Sequence, residues 1–367
     1  MNGGPGGELR RFAAIVIVLG TVAAVAPQPW YITDRGTYET VGRQFFVPDC
    51  GDLHCFRVLI AWTLESMPGP SLAKWKAFAV LANAAAALAV GRLSVLLGLS
   101  AQSSVYATWL SAVGFGSFYT VFDSYTSDPL MFLLGPLLTA EMLCGRRGRS
   151  ALVGAVGVLA KEFAAAPLWI HTIWALLRRK WDLALRSLLV ASTVTMIWIA
   201  LHIWLVVSHN YSYGGSASAN LAGGGFVARW YSLVGPRGAL IAVFVEFGAL
   251  YLLFPFGFWR ASRDLRLLVV AALPAAAALV YVQQPDRALW NFHYLVIPIA
   301  VLALEVLPAW GAWLFIVLFA LANLRVGAQL AAVPPALVSL ALSALVALAA
   351  AALVMYRRPP ALATEFA

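Results

Sequence analysis

The sequence predicts an all-α polytopic membrane protein, and three observations carry that prediction. Hydrophobic residues make up 62% of the 367-residue chain and charged residues only 11%. A soluble domain carries about 25% charged residues. Mean hydropathy is +0.83. Apolar runs recur from end to end, continuous rather than alternating, and their length of about 20 residues is that of a membrane-spanning helix. In lipid, only helices and closed barrels satisfy every backbone polar group, and continuous runs select helices.

The net charge of +9 does not indicate nucleic acid. The basic residues fall in short clusters between apolar runs: Arg10-Arg11, Arg146-Arg147-Arg149, Arg178-Arg179-Lys180, Arg260/Arg263/Arg266 and Arg357-Arg358. This is the positive-inside pattern that orients membrane proteins.

About twelve helices follow in order, forming one transmembrane domain over 1–355 with a cytoplasmic tail at 356–367. Helix 1 covers 11–30. Ala24-Val25-Ala26 resembles a signal-peptide cleavage site, but Pro27 follows it, and the run reads as a retained anchor. A first outer loop, 31–71, groups Trp30, Tyr31, Phe45, Phe46, Phe56 and Trp62 with Arg43 and Arg57, which suits one or two helices lying on the membrane. Helices 2 (73–97), 3 (101–121) and 4 (129–144) follow, with a short outer turn from Phe122 to Asp128 between the last two.

The stretch 150–177 carries Lys161-Glu162 at its middle. A single helix would bury both charges at mid-membrane, at about 2.5–3.5 kcal/mol for such a residue on insertion scales. Two short helices meeting near the outer face at Lys161-Glu162 avoid this, and Pro167 suits the break. Helix 7 (185–207) leads to a second outer loop, 208–235, and helices 8 to 12 cover 237–258, 266–283, 292–307, 312–326 and 332–355.

On this topology Asp34, Glu39, Asp49, Asp52, His54, Asp123, Asp128, Glu162, Asp286 and His293 lie on or near the outer face, while the inner face receives mostly arginines. An active site is therefore expected outside. Nucleotides are absent outside a bacterial inner membrane, so a transferase working there needs a membrane-borne donor.

Three segments carry a family resemblance. The first is Thr33-Asp34-Arg35-Gly36-Thr37-Tyr38-Glu39 after helix 1. The second is the turn Asp123-Ser124-Tyr125-Thr126-Ser127-Asp128-Pro129-Leu130. The third is the small-residue run from Leu152 to Phe163 that contains Lys161-Glu162, followed by Pro167 and a basic cluster. In this order the chain resembles the GT-C membrane glycosyltransferases, a superfamily that includes protein mannosyltransferases and aminoarabinose transferases. The resemblance covers residues 10–180 well and the remainder loosely.

It implies transfer of a monosaccharide from a polyprenyl phosphate to a lipid or glycan acceptor, with inversion, at the periplasmic face of a bacterial inner membrane. Such chemistry needs a base for the acceptor proton and cationic or hydrogen-bonding groups for the departing phosphate. On this reading Asp34 is the general base and Asp123 a second acid that orients the acceptor or holds an optional divalent cation. Tyr38, Arg43, Asp128, Lys161, Glu162, Arg287 and His293 are the substrate-binding candidates, with Lys161 and Arg287 aimed at the lipid phosphate. Arg35 and Arg57 are further basic candidates.

Each role has a plainer competitor. Asp34 and Asp128 suit helix starts, Lys161 a salt bridge, and His293 the aromatic belt with Trp290 and Tyr294. Cys50 and Cys55 suit a disulfide in an oxidising compartment; with His54 they also offer three zinc ligands. Cys144 reads as a free packing residue. The rival function is a transporter or flippase of lipid-linked sugars or small solutes, with a non-enzymatic scaffold third.

Overall fold

The computed structural model describes residues 5–26, 34–212, 246–282, 289–324 and 336–356. Every regular element among them is helical. α1 (Pro5–Val25) is followed by two short helices, α2 (Asp34–Gln44) and α3 (Val58–Glu65), where the sequence places an interfacial loop. Next come α4 (Ser71–Leu96), α5 (Ala101–Ala112), α6 (Phe115–Phe122), α7 (Asp128–Leu143), α8 (Arg147–Val158), α9 (Ala166–Leu177) and α10 (Trp181–His209). The chain continues with α11 (Leu250–Arg260), α12 (Arg263–Val282), α13 (His293–Leu304), α14 (Ala309–Asn323) and α15 (Ala336–Tyr356). Three stretches, Ser71–Leu96, Trp181–His209 and Val338–Tyr356, are helical, long and apolar enough to cross a membrane unaided.

The expected break at Lys161-Glu162 is present. α8 stops at Val158, Lys161 is extended (φ −164°, ψ 139°), and a 3-10 turn over Glu162–Ala165 leads into α9. Pro167 sits in the first turn of α9, where its missing N–H costs nothing.

The single helix expected over 101–121 is instead two, α5 and α6, parted at Val113-Gly114. The cause lies far along the chain. The Trp290 ring packs so closely on Gly114 and Gly116 that a Cβ at either would overlap it. Trp290 is 1% exposed, so the break opens a slot for a buried indole.

The two ends of the bundle are charged. At one end Glu8 pairs with Arg92, Glu141 faces Arg146 and Arg149, and Arg178 meets Asp264. The other end carries α2, α3, the first turn of α4, the start of α7 and the α8–α9 break. Between them α4 carries a neutral pair, with the Asn83 amide donating to the Thr120 hydroxyl at 2.8 Å. Beneath the α2 end lies a small separate core that includes Tyr38, Val41, Phe56, Ile60, Leu64 and Trp75.

α2 reaches that core through Gly42. A Cβ there would stand 2.6 Å from the Ala61 carbonyl oxygen and overlap the Glu65 side chain. Gly42→Ala is expected to lift α2 from α3 and destabilise the protein by about 1–3 kcal/mol, the usual cost of overpacking; thermal unfolding in detergent measures it.

Candidate functional site

The polar residues of the first loop converge on the start of α2. Asp34 is its first residue. His54 Nε2 lies 3.4 Å from Asp34 Oδ2, and His54 Nδ1 lies 2.7 Å from Asp52 Oδ1. Asp52 also accepts from the His54 backbone N–H (3.0 Å), capping the 3-10 turn Leu53–Phe56, and from the Thr37 hydroxyl at 2.9 Å. Burial opposes ionisation of Asp52, but the hydrogen bonds from His54 and Thr37 and the nearby imidazole outweigh it and hold its carboxyl well below the usual range. The Tyr38 ring stands edge-on to His54, with centroids 5.2 Å apart.

A disulfide closes this loop. Cys50 and Cys55 are joined, so their sulfurs are not available as thiolate zinc ligands. The loop is also stitched to the end of α10: Asp49 N–H donates to the His209 carbonyl (3.0 Å) and Ser212 N–H to the Cys50 carbonyl (2.9 Å). Cross-linking residues five apart constrains the unfolded chain by about 2 kcal/mol in the loop-entropy account. The Cys50→Ser/Cys55→Ser protein is expected to lose about that much stability, read as a lower unfolding midpoint, with dithiothreitol reproducing the loss in the wild type.

Below Asp34 lie two ion pairs. Arg57 is 6% exposed and grips Glu162 with two hydrogen bonds, of 2.6 and 3.1 Å. Lys161 is 3% exposed and bonds Asp128. Burial works against the Arg57 charge, but the neighbouring Glu162, Tyr38 and Asp128 raise its pKa overall and keep it cationic. Burial also pushes the Tyr38 phenol up to about 12, and its hydroxyl faces Ser127. The backbone joins the parts, since Leu59 N–H donates to the Leu159 carbonyl at 3.1 Å. The break between α8 and α9 is thereby tied to the first loop.

The outer face of α2 carries a second network. Arg35 donates to Glu39 (2.9 Å), and the Tyr125 hydroxyl donates to the same oxygen (3.0 Å). The Ser71 hydroxyl and the Trp75 indole both donate to Glu65, at 2.6 and 3.0 Å. Arg43 stands near Glu39 and Glu65, at 3.5 and 3.8 Å, and both Arg35 and Arg43 are exposed.

The candidates therefore separate. Tyr38, Asp128, Lys161 and Glu162 gather around Arg57, while Asp34 stands beside His54 and Arg43 lies further along α2. Lys161, expected at a lipid phosphate, is engaged by Asp128, and Glu162 pairs with Arg57 rather than with its neighbour. Asp123 ends α6 and accepts from the Tyr119 hydroxyl at 3.0 Å. His293 heads α13, stacked on Trp290 with its Nδ1 2.9 Å from the Trp290 carbonyl, an aromatic packing position. Arg287 lies outside the described residues. Glu65, whose position on α3 gave no hint of its partners, escaped the sequence reading, and Glu39, read there on the outer face, was given no role. No group of three or more His, Cys, Asp or Glu suited to a metal ion occurs among the described residues.

No family model and no curated protein matches this chain. Among solved structures it is similar to the Archaeoglobus fulgidus oligosaccharyltransferase tethered to an acceptor peptide through a disulfide bond. Identity is 14% and the TM-score 0.47, with 95% of this chain and 56% of that chain covered. The chain thus spans little more than half the length of that enzyme, and the likeness is too distant to transfer any of its properties.

Proposed function

We propose that this protein is a membrane glycosyltransferase that moves a monosaccharide from a polyprenyl phosphate to a hydroxyl of a lipid or glycan acceptor. About twelve spans, with the α2 end facing the periplasm, complete the reading. The observation that carries it is the setting of Asp34. Its side chain is 29% exposed at the head of an interfacial helix. It stands beside His54, which also meets Asp52, and next to the Tyr38 ring that faces the same imidazole.

In the reaction the acceptor oxygen bonds to the anomeric carbon as its proton passes to Asp34. The bond from that carbon to the phosphate oxygen breaks, and its electron pair leaves with the lipid phosphate. In-line attack inverts the configuration. The exposed guanidinium groups of Arg35 and Arg43 suit the departing phosphate better than Lys161, whose charge is buried against Asp128. Asp123, five residues before Asp128, is placed as the acceptor-orienting acid.

The ion pairs among the described residues occupy the two ends of the bundle rather than a path through it, which favours transfer over transport. The test is to incubate the purified protein with a panel of polyprenyl-phosphate sugars and measure free lipid phosphate. Donor consumption supports the reading. Solute uptake into proteoliposomes with every donor left intact overturns it.

A further inference from the structure

We propose that Tyr125 is a positioning residue for Arg35, presenting the terminal nitrogens of that guanidinium to the departing lipid phosphate. The inference rests on the glycosyl-transfer reading and deepens it. Two contacts join the pair. The central carbon of the Arg35 guanidinium lies 5.4 Å from the centre of the Tyr125 ring, within cation–π range. Arg35 Nε donates to Glu39 Oε1 at 2.9 Å, and the Tyr125 hydroxyl donates to the same oxygen at 3.0 Å. Tyr125 is itself fully buried. Its ring packs on Trp75 with centroids 5.3 Å apart, and its hydroxyl also lies 3.1 Å from the Ser71 oxygen. A side chain of the α6–α7 turn thus sets the pose of an arginine on α2.

Arg35 is held at one end and open at the other. Its side chain is 50% exposed, and among the described residues nothing accepts a hydrogen bond from its two terminal nitrogens. A guanidinium offers paired N–H groups that match two oxygens of a phosphate. Fixing Nε and the plane of the group in advance lowers the side-chain ordering that binding would otherwise cost. Burial opposes ionisation of Glu39, but hydrogen bonding, first from Arg35, outweighs it and holds the carboxyl below its usual range. An ionised carboxylate only accepts, so Tyr125 is the donor in their contact.

The experiment measures binding of farnesyl phosphate to the purified protein in detergent, with farnesol as the neutral control. It compares wild type, Tyr125→Phe, Arg35→Gln and the double variant, with unfolding midpoints on the same preparations. Tyr125→Phe keeps the ring and loses the hydroxyl, and is expected to weaken farnesyl phosphate binding by about 2–10-fold, the net worth of one hydrogen bond. Arg35→Gln is expected to weaken it by about 10–100-fold, the range for hydrogen bonds to a charged group. Because Tyr125 acts through Arg35, the double variant is expected to bind no more weakly than Arg35→Gln alone. Farnesol binding is expected to be equal in all four proteins. A Tyr125→Phe or Arg35→Gln protein that binds like the wild type overturns the inference, and so do losses that multiply in the double variant. An equal loss of farnesol binding assigns Tyr125 to packing and overturns it too. Binding needs no turnover, so a wild type that binds farnesyl phosphate but consumes no sugar donor overturns the transfer reading and leaves the Tyr125–Arg35 coupling standing.

Discussion

Asp34→Asn is expected to reduce sugar transfer by about 10²–10⁴-fold, the range that a positioned general base contributes, while leaving the fold intact. Asparagine has the same shape and keeps an oxygen that can accept from His54 Nε2, so the 3.4 Å contact survives the change. It also keeps a side-chain oxygen at the first residue of α2, where a helix-start role would need one. What it removes is the capacity to take a proton at neutral pH. Initial rates of lipid-phosphate release, with an unfolding midpoint measured on the same preparation, separate the roles. A variant as fast as wild type shows that Asp34 is a helix-start residue and that the base lies elsewhere. A variant that is slow and also unstable points to packing instead.

The parts of this site that were legible in the sequence are those governed by local rules. Lys161-Glu162 interrupts an apolar run, and two adjacent charges at mid-membrane cost enough to force a break; the turn after α8 lies there. The aromatic and basic residues of 31–71 suggested short helices, and α2 and α3 occupy that stretch. A disulfide between Cys50 and Cys55 needed only proximity and an oxidising compartment. Arg35–Glu39 is an i,i+4 pair and follows from helical spacing alone.

Long-range partners were not legible. Lys161 reaches Asp128 across 33 residues, and Arg57 reaches Glu162 across 105. A residue's charge is written in the sequence, but its counter-ion is chosen by the packing of distant helices. Lys161 therefore read as a phosphate ligand or one half of a salt bridge, and its partner Asp128 could not be named. The same limit hid the division of α5 from α6. Gly114 and Gly116 read as ordinary small residues in an apolar run. Their reason is Trp290, which arrives from the segment before α13 and fills the space that side chains would take. Several of the acids were visible as a group; their sorting into ion pairs and a His54-centred chain needed three dimensions.

Glu162→Ala is expected to be the most damaging single change to stability, because it strands a guanidinium that has little access to water. The Arg57 and Glu162 side chains are 7% and 14% exposed, and the carboxylate meets both Nε and a terminal nitrogen. Removing one partner of a buried pair costs about 3–5 kcal/mol, most of it the penalty of the uncompensated charge. Replacing both by apolar residues avoids that penalty, so Arg57→Met/Glu162→Leu should recover much of the lost stability. Transfer should not recover with it. The pair anchors the α8–α9 break to the loop that carries Asp52 and His54, and a methionine against a leucine packs without fixing that register. Unfolding midpoints and transfer rates for the two single variants and the double variant form a cycle that separates the charge penalty from the positioning role. If Glu162→Ala unfolds at the wild-type temperature, the pair is solvated in the working protein and cannot be what holds the break to the site.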